Sequence, residues 1–225
     1  MRLLLIRHGE IDFNRESRYC GITDVPINRT GIAQARQLKL LIANEKIDRI
    51  YCSPLRRAKE TARIIFGQRP APRCPSGRRT CSEGTESIRI EPALAEINFG
   101  KLECLFVEEV KEKFPCFYRQ WLTNLEKAKP PGGESVAQCR RRIWKFIRVL
   151  ISDKNNHHKT IALVMHGGPI KILITKIFNL GANGFWLFHP EPASVTTIEY
   201  DRGRFCLLTR NFCYQKDKPG FGWRP

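Results

Sequence analysis

The sequence predicts an α/β fold, a three-layer α/β/α sandwich around a mostly parallel central sheet. Three observations carry this expectation. Continuous apolar runs at Leu3–Ile6 and Ile161–Met165 are of strand length and apolar at every position, as strands covered on both faces are. Between the strand-like runs lie segments whose apolar residues recur at helical spacing, the alternation expected of a parallel sheet with crossover helices. At 225 residues, 42% hydrophobic and 27% charged, the chain can bury a full core without staples and is too apolar to be disordered throughout. No apolar run approaches the ~18 residues of a membrane span.

The elements follow in order. Leu3–Ile6 is the first strand. Residues 8–28, with Gly, Asn, Asp and Pro, read as a long loop, and long loops in compact domains are often functional. Thr30 opens a helix with Ile32, Ala35, Leu38, Leu41 and Ile42 on one face. Ile47–Cys52 is the second strand, Pro54 marks a turn, and Leu55–Phe66 is the second helix. Residues 67–87 are rich in Pro, Gly, Ser and Arg, have no period, and read as a flexible inserted loop. Ile88–Ile90 reads as a short strand, and residues 105–126 as a helix in two pieces broken at Pro115. Ser135, after Pro130-Pro131-Gly132-Gly133, suits the cap of a long helix to about Ile151. On it, Arg140, Arg141 and Arg142 fan across about 200° at helical spacing and read as a solvated face. Thr160–Met165 is a further strand, and Pro169–Asn179 a helix ended by Gly181 and Gly184. Val195–Tyr200 and Arg204–Leu208 form a hairpin around Asp201-Arg202-Gly203. The expected organisation is a single domain over 1–211 and a frayed tail over 212–225.

Lys and Arg number 39 against 22 Asp and Glu, a net charge of +17. That surplus points to anionic partners, whether nucleic acid, a membrane surface or phosphorylated small molecules, and it also serves solubility. The nine cysteines include no C-x-x-C pair. They read as reduced, mostly buried thiols of a cytoplasmic protein, and no structural zinc is expected.

Two histidines stand at equivalent places. His8 follows the first buried strand and precedes Gly9; His166 follows Thr160–Met165 and precedes Gly167. Parallel strands would bring both rings to one sheet edge, beyond the carboxyl ends where ligands of such sheets bind. Arg7 abuts a buried strand, and Arg57 opens the helix after the second strand, at the same edge. Two guanidinium forks suit phosphate oxygens.

Arg7-His8-Gly9-Glu10 after an apolar strand resembles the signature of the histidine phosphatase superfamily, which has the phosphoglycerate mutase-like fold. Asn14 matches an asparagine six positions after the histidine, and Gly31, Gln34 and Ala35 sit where a Gly-x-x-Gln-Ala pattern places them. Ser53-Pro54-Leu55-Arg56-Arg57-Ala58-Lys59-Glu60-Thr61-Ala62 resembles the second arginine block, and Leu94-Ala95-Glu96-Ile97-Asn98-Phe99-Gly100 the segment of the acid. Pro131-Gly132-Gly133-Glu134-Ser135 and Val164-Met165-His166-Gly167 match two further blocks, in the right order.

The resemblance implies His8 as the nucleophile, Glu96 as proton donor, and Arg7, Arg57 and His166 as the clamp on the phosphoryl oxygens. It adds Asn14, Cys20, Gly21 and Gly167 to the phosphate- and substrate-binding set. No metal or organic cofactor is implied. A neutral imidazole is a usable nucleophile near pH 7, and a covalent phosphohistidine splits one hard displacement into two steps. Cys20-Gly21-Ile22 stands where the family often has Thr-Gly-Trp, and Gly100-Lys101-Leu102-Glu103-Cys104 where it often has Gly-x-Trp-Glu-Gly. The Glu-Arg-His-Tyr segment typical of the mutases is absent, which favours phosphatase over mutase. The opening Met1–Glu10 and Phe185-Trp186-Leu187-Phe188 resemble the α-ribazole phosphatase branch, so the implied reaction is hydrolysis of a small phosphorylated metabolite, with α-ribazole 5'-phosphate of cobalamin synthesis as the candidate substrate. Two other readings stand beside it, a phosphoglycerate mutase-type phosphotransferase and a catalytically silent anion- or nucleic-acid-binding protein. The expected partner is the small substrate, with no membrane and no nucleic acid; a homodimer is compatible with the sequence but not specified by it.

Overall fold

A computed structural model of the chain describes residues 1–67, 87–181 and 184–213. The strands are β1 (Arg2–Arg7), β2 (Arg49–Cys52), β3 (Arg89–Ile90), β4 (Thr160–Met165), β5 (Val195–Asp201) and β6 (Arg204–Phe212). The main helices are α1 (Asp12–Arg15), α2 (Arg29–Leu41), α3 (Arg56–Phe66), α4 (Val107–Lys113), α5 (Pro115–Thr123), α6 (Val136–Ser152), α7 (Gly167–Ile177) and α8 (Gly184–Leu187). Residues 68–86, which carry nearly all of the expected insertion, and the tail from 214 lie outside the described residues.

One six-stranded sheet runs in the order β3-β2-β4-β1-β5-β6. β1, β4, β2 and β3 are mutually parallel. The antiparallel hairpin β5–β6 is added at the β1 side, so the expected mostly parallel sheet carries a reversed edge. Its turn uses Arg202 at φ 44° and Gly203 at φ 85°, the left-handed pair that a two-residue hairpin loop requires.

Alternation along the central strands builds three layers. Leu3 and Leu5 of β1, with Ile161, Leu163 and Met165 of β4, pack beneath α5, α6 and α7 through Trp121, Ile143, Ile147, Ile170 and Leu173. Leu4 and Ile6, with Ala162 and Val164, pack against α2 and α3 through Leu38, Ala58, Ala62 and Ile65. Every residue of β4 is buried, which is why its sequence is apolar without alternation.

Helix starts follow side-chain chemistry. The Asn28 Oδ1 accepts from Gly31 N at 2.8 Å and caps α2, so this helix begins a residue before Thr30. Ser135 and Gln138 form a reciprocal capping box on α6. Pro115 separates α4 from α5 and heads the latter. Four expectations need correction. The long loop 8–28 contains α1 and a bridge of Arg18 to Phe106. Gly184 opens α8 instead of ending a helix. Among the described cysteines only Cys52 and Cys139 are buried, while Cys116 and Cys206 are exposed. Arg142 is not part of a solvated face, because its guanidinium turns inward to Glu134, Ala93 and Glu96.

Candidate active site

The strand register sets the site. Arg7 of β1 stands opposite Met165 of β4, so the next residues, His8 and His166, leave the sheet side by side at its carboxyl edge. His8 N donates to Met165 O at 3.0 Å. The two rings are 5.1 Å apart between centroids at 57°, and both are buried, 3% and 0% exposed.

His8 is held as one tautomer. Its Nδ1 lies 2.7 Å from Gly9 O, and a carbonyl only accepts, so Nδ1 carries the proton and Nε2 keeps its lone pair. The turn after the strand is fixed by close backbone packing. A Cβ on Gly9 would meet Gly31 O at 2.5 Å, and one on Gly31 would meet Glu10 O at 2.3 Å. Gln34 Oε1 accepts from Glu10 N, and Thr61 Oγ1 accepts from Gly9 N at 3.0 Å. Gly31 and Gln34, remote in sequence from His8, thus shape its loop.

Arg57 is 1% exposed. Its Nε donates to His166 Nδ1 at 3.2 Å, while Nη1 and Nη2 donate to the carbonyls of Thr23 and Gly21. His166 therefore bears its proton on Nε2 and donates to Ser53 Oγ at 2.7 Å. Arg7 donates from Nη1 to Pro190 O at 2.6 Å. Its buried Nε has no hydrogen-bond partner among the described residues. A Cβ on Gly167 would come 3.5 Å from that nitrogen, so Gly167 lies directly against the guanidinium.

Glu96, 9% exposed, reaches the same place from the loop between β3 and α4. Its Oε1 accepts from Ile97 N at 2.9 Å and its Oε2 from Gly168 N at 3.2 Å. Burial raises its carboxyl above the usual range, against the pull of Ile97 N, Arg57, Gly168 N and Arg7. Burial likewise pushes the His8 imidazole well below its usual value, helped by Arg57 and Arg7 and opposed by Gly9 O. His166 is lowered by burial, then by Arg57 and His8. Arg7 is lowered by burial, while Glu96 and Glu191 hold it up. The site therefore combines neutral imidazoles, cationic guanidiniums and a carboxyl that favours its proton.

The remaining expected residues lie in the first loop. Gly21 gives its carbonyl to Arg57 and its N–H to Glu103 Oε2. Cys20 is half-buried, and burial pushes its thiol up to about 11, which keeps it neutral. Asn14 is exposed and its Oδ1 accepts from Ile11 N at 3.1 Å; it makes no hydrogen bond to His8, Arg7 or Arg57 among the described residues.

Three residues of the neighbourhood were not singled out from sequence. Glu103 accepts from Gly21 N, Ile22 N, Thr23 N, Thr23 Oγ1 and Phe99 N, so one carboxylate shapes the loop that holds Arg57. Its persistence in a block whose Trp and second Gly are replaced was the available signal. Arg142 supports the Glu96 segment; it lies three residues after the buried Cys139, at the edge of the apolar stripe of α6. Lys171 lies one turn along α7 from Gly167, with its Nζ 4.9 Å from the Phe185 ring and 5.6 Å from Trp186. Burial and Arg7 lower its ammonium to about 8, against Glu96. No group of three or more His, Cys, Asp or Glu among the described residues could hold a metal ion, and no helix among them is long and apolar enough to cross a membrane.

Comparison with known proteins gives the same picture. The family model of the histidine phosphatase superfamily (branch 1) matches residues 3–212. The adenosylcobalamin/α-ribazole phosphatase of Salmonella typhimurium is 30% identical over 211 residues, covering 94% of this chain and 96% of that protein. Phosphoserine phosphatase 1 of Hydrogenobacter thermophilus is 29% identical over 94% of this chain and 92% of its own. The crystal structure of the α-ribazole phosphatase from Shigella flexneri superposes with a TM-score of 0.79 at 28% identity, over 94% of this chain and 96% of that one.

Proposed function

Because the chain belongs to branch 1 of the histidine phosphatase superfamily and is a phosphoric monoester hydrolase, we propose that it works through a phosphohistidine on His8. The observation that carries this reading is the convergence of His8 and His166, 5.1 Å apart, with two guanidinium groups, one of which keeps a buried Nε without a hydrogen-bond partner among the described residues. Such a nitrogen is costly unless an anion meets it.

In the first step the Nε2 lone pair of His8 attacks phosphorus, and the bond from phosphorus to the ester oxygen breaks. Arg7 and Arg57 hold the equatorial oxygens as charge redistributes, with Asn14 assisting and His166 joining them once its Nε2–H turns from Ser53 Oγ to the phosphoryl group; positioning and charge stabilisation dominate phosphoryl transfer. The departing alkoxide takes the proton of Glu96. In the second step the Glu96 carboxylate removes a proton from water, which attacks the phosphohistidine. Inorganic phosphate leaves, His8 regains its lone pair and Glu96 its proton. Gly167 lets the substrate phosphate approach Arg7, and Cys20 and Gly21 border the leaving group. No cofactor enters these steps.

As substrate we propose α-ribazole 5'-phosphate, a step of cobalamin synthesis. Full-length likeness to α-ribazole phosphatases supports it. The +17 charge is read as attraction for a small phosphorylated anion, not for nucleic acid. The enzyme is read as one catalytic domain over 1–211, cytoplasmic, in keeping with the free thiols of the described cysteines.

A phosphate-release screen with α-ribazole 5'-phosphate, phosphoserine and 3-phosphoglycerate tests both levels. The wild type is expected to release phosphate and to trap acid-labile, base-stable label, and His8→Ala to do neither. Equal activity in the two would refute the mechanism. Turnover of the other esters without the ribazole phosphate would refute the substrate alone.

A further inference from the structure

Arg142 and Glu134 perform no step of the chemistry above, yet their contacts converge on the segment that carries the acid. Arg142 extends from α6 and donates from Nη1 to Ala93 O at 2.7 Å and from Nη2 to Glu96 O at 3.0 Å. Its Nη2 and Nε also donate to the two oxygens of Glu134, at 2.6 and 3.1 Å, the forked geometry that gives a guanidinium one orientation. Glu134 reaches the same segment, since its Oε1 accepts from Asn98 N at 3.2 Å and its N–H donates to Asn98 O at 2.9 Å. Side-chain exposures of 25% and 18% place the pair largely out of solvent.

We propose that Arg142, braced by Glu134, is a positioning residue that sets the Glu96 carboxyl against the leaving oxygen. The inference rests on the reading of Glu96 as proton donor. Residues 93–98 are Ala-Leu-Ala-Glu-Ile-Asn, so Glu96 is the one ionisable side chain the clamp can orient. Its backbone is held from α6 by Arg142, and its carboxyl is held from α7 by Gly168 N. With the first anchor removed, the second remains and the carboxyl pivots about it. A displacement near 1 Å of a reacting group is enough to cost about 10²-fold in rate.

The test compares kcat/KM for ethyl phosphate, whose alkoxide needs a proton to leave, with 2,4-dinitrophenyl phosphate, whose phenolate does not. This ratio ends at departure of the alcohol, so the later hydrolysis of the phosphohistidine does not enter it. Arg142→Met is expected to lose about 10²-fold on ethyl phosphate and less than about threefold on the dinitrophenyl ester. Arg142→Lys, which keeps the charge but gathers its donors on one nitrogen and loses the fork, is expected to fall between Arg142→Met and wild type. In a Glu96→Gln background, Arg142→Met is expected to add no further loss on ethyl phosphate. Equal losses on the two esters, or an undiminished loss in the Glu96→Gln background, would overturn the proposal and leave the acid assignment standing. If Glu96→Gln itself slowed both esters alike, the acid assignment would fail and the positioning role with it.

Discussion

Gly168 shows how little room the site leaves. A Cβ there would lie 2.3 Å from Glu96 Oε1 and 3.1 Å from Ile97 Cδ1. Because Gly168 is helical, alanine is otherwise favoured by up to about 1 kcal/mol. Gly168→Ala is therefore expected to keep or raise the melting temperature while reducing kcat/KM on alkyl phosphates by about 10²-fold. Parallel thermal melts and rate measurements check this, and a drop in both together would mean that the residue is structural. The ring nitrogens make the same point about small distances. His8 and His166 differ in which nitrogen carries the proton, and each choice follows from one neighbour, Gly9 O for the first and Arg57 Nε for the second. The residue types were legible in the sequence, but their tautomers were not, because those depend on atoms brought in by the fold.

At the scale of elements, the apolar runs and helical spacings gave β1, β4, α2, α3 and α6 nearly in place, since burial on both faces leaves an unmistakable composition. Arg142 was misread for a definite reason. Three consecutive arginines on a helix face three directions, and which one turns inward depends on the segment 93–98 that packs beside them. The first loop was harder still, because its order comes from Glu103, some 80 positions away. That carboxylate gathers the amides of Gly21, Ile22 and Thr23, and their segment offers the carbonyls that hold Arg57. Glu103→Ala is expected to cost about 1–3 kcal/mol, to raise amide exchange in residues 21–23, and to lower kcat/KM by about tenfold through looser seating of Arg57. Exchange mapped by mass spectrometry and steady-state kinetics check it; unchanged protection of those amides would contradict the assignment.

At the scale of the whole molecule, the buried imidazoles tie stability to pH. His8 and His166 are held below the unfolded value of 6.5, first by burial and then by the guanidiniums. As pH falls through 6.5 the unfolded chain takes up protons that the folded chain refuses. Their contribution is complete above that pH and declines below it, by up to about 1.4 kcal/mol per pH unit for each ring. Glu96 acts in the opposite sense, because its raised carboxyl favours the fold at low pH and loses that contribution as pH rises through its folded value. Urea unfolding between pH 7.5 and 5 is expected to show falling midpoints. The double variant His8→Gln/His166→Gln is expected to show a shallower fall, and an identical fall would remove these rings as its cause.

The parallel direction of β2 and β3 has a consequence of its own. α3 starts at the carboxyl edge of β2 and ends at Phe66, whereas β3 starts at Arg89, opposite Tyr51, and pairs Ile90 with Cys52, so this two-residue strand lies at the carboxyl half of β2 and hands the chain directly to the segment of Glu96. A pairing of two residues is thus the gangway along which the chain carries the Glu96 carboxyl to the two imidazoles.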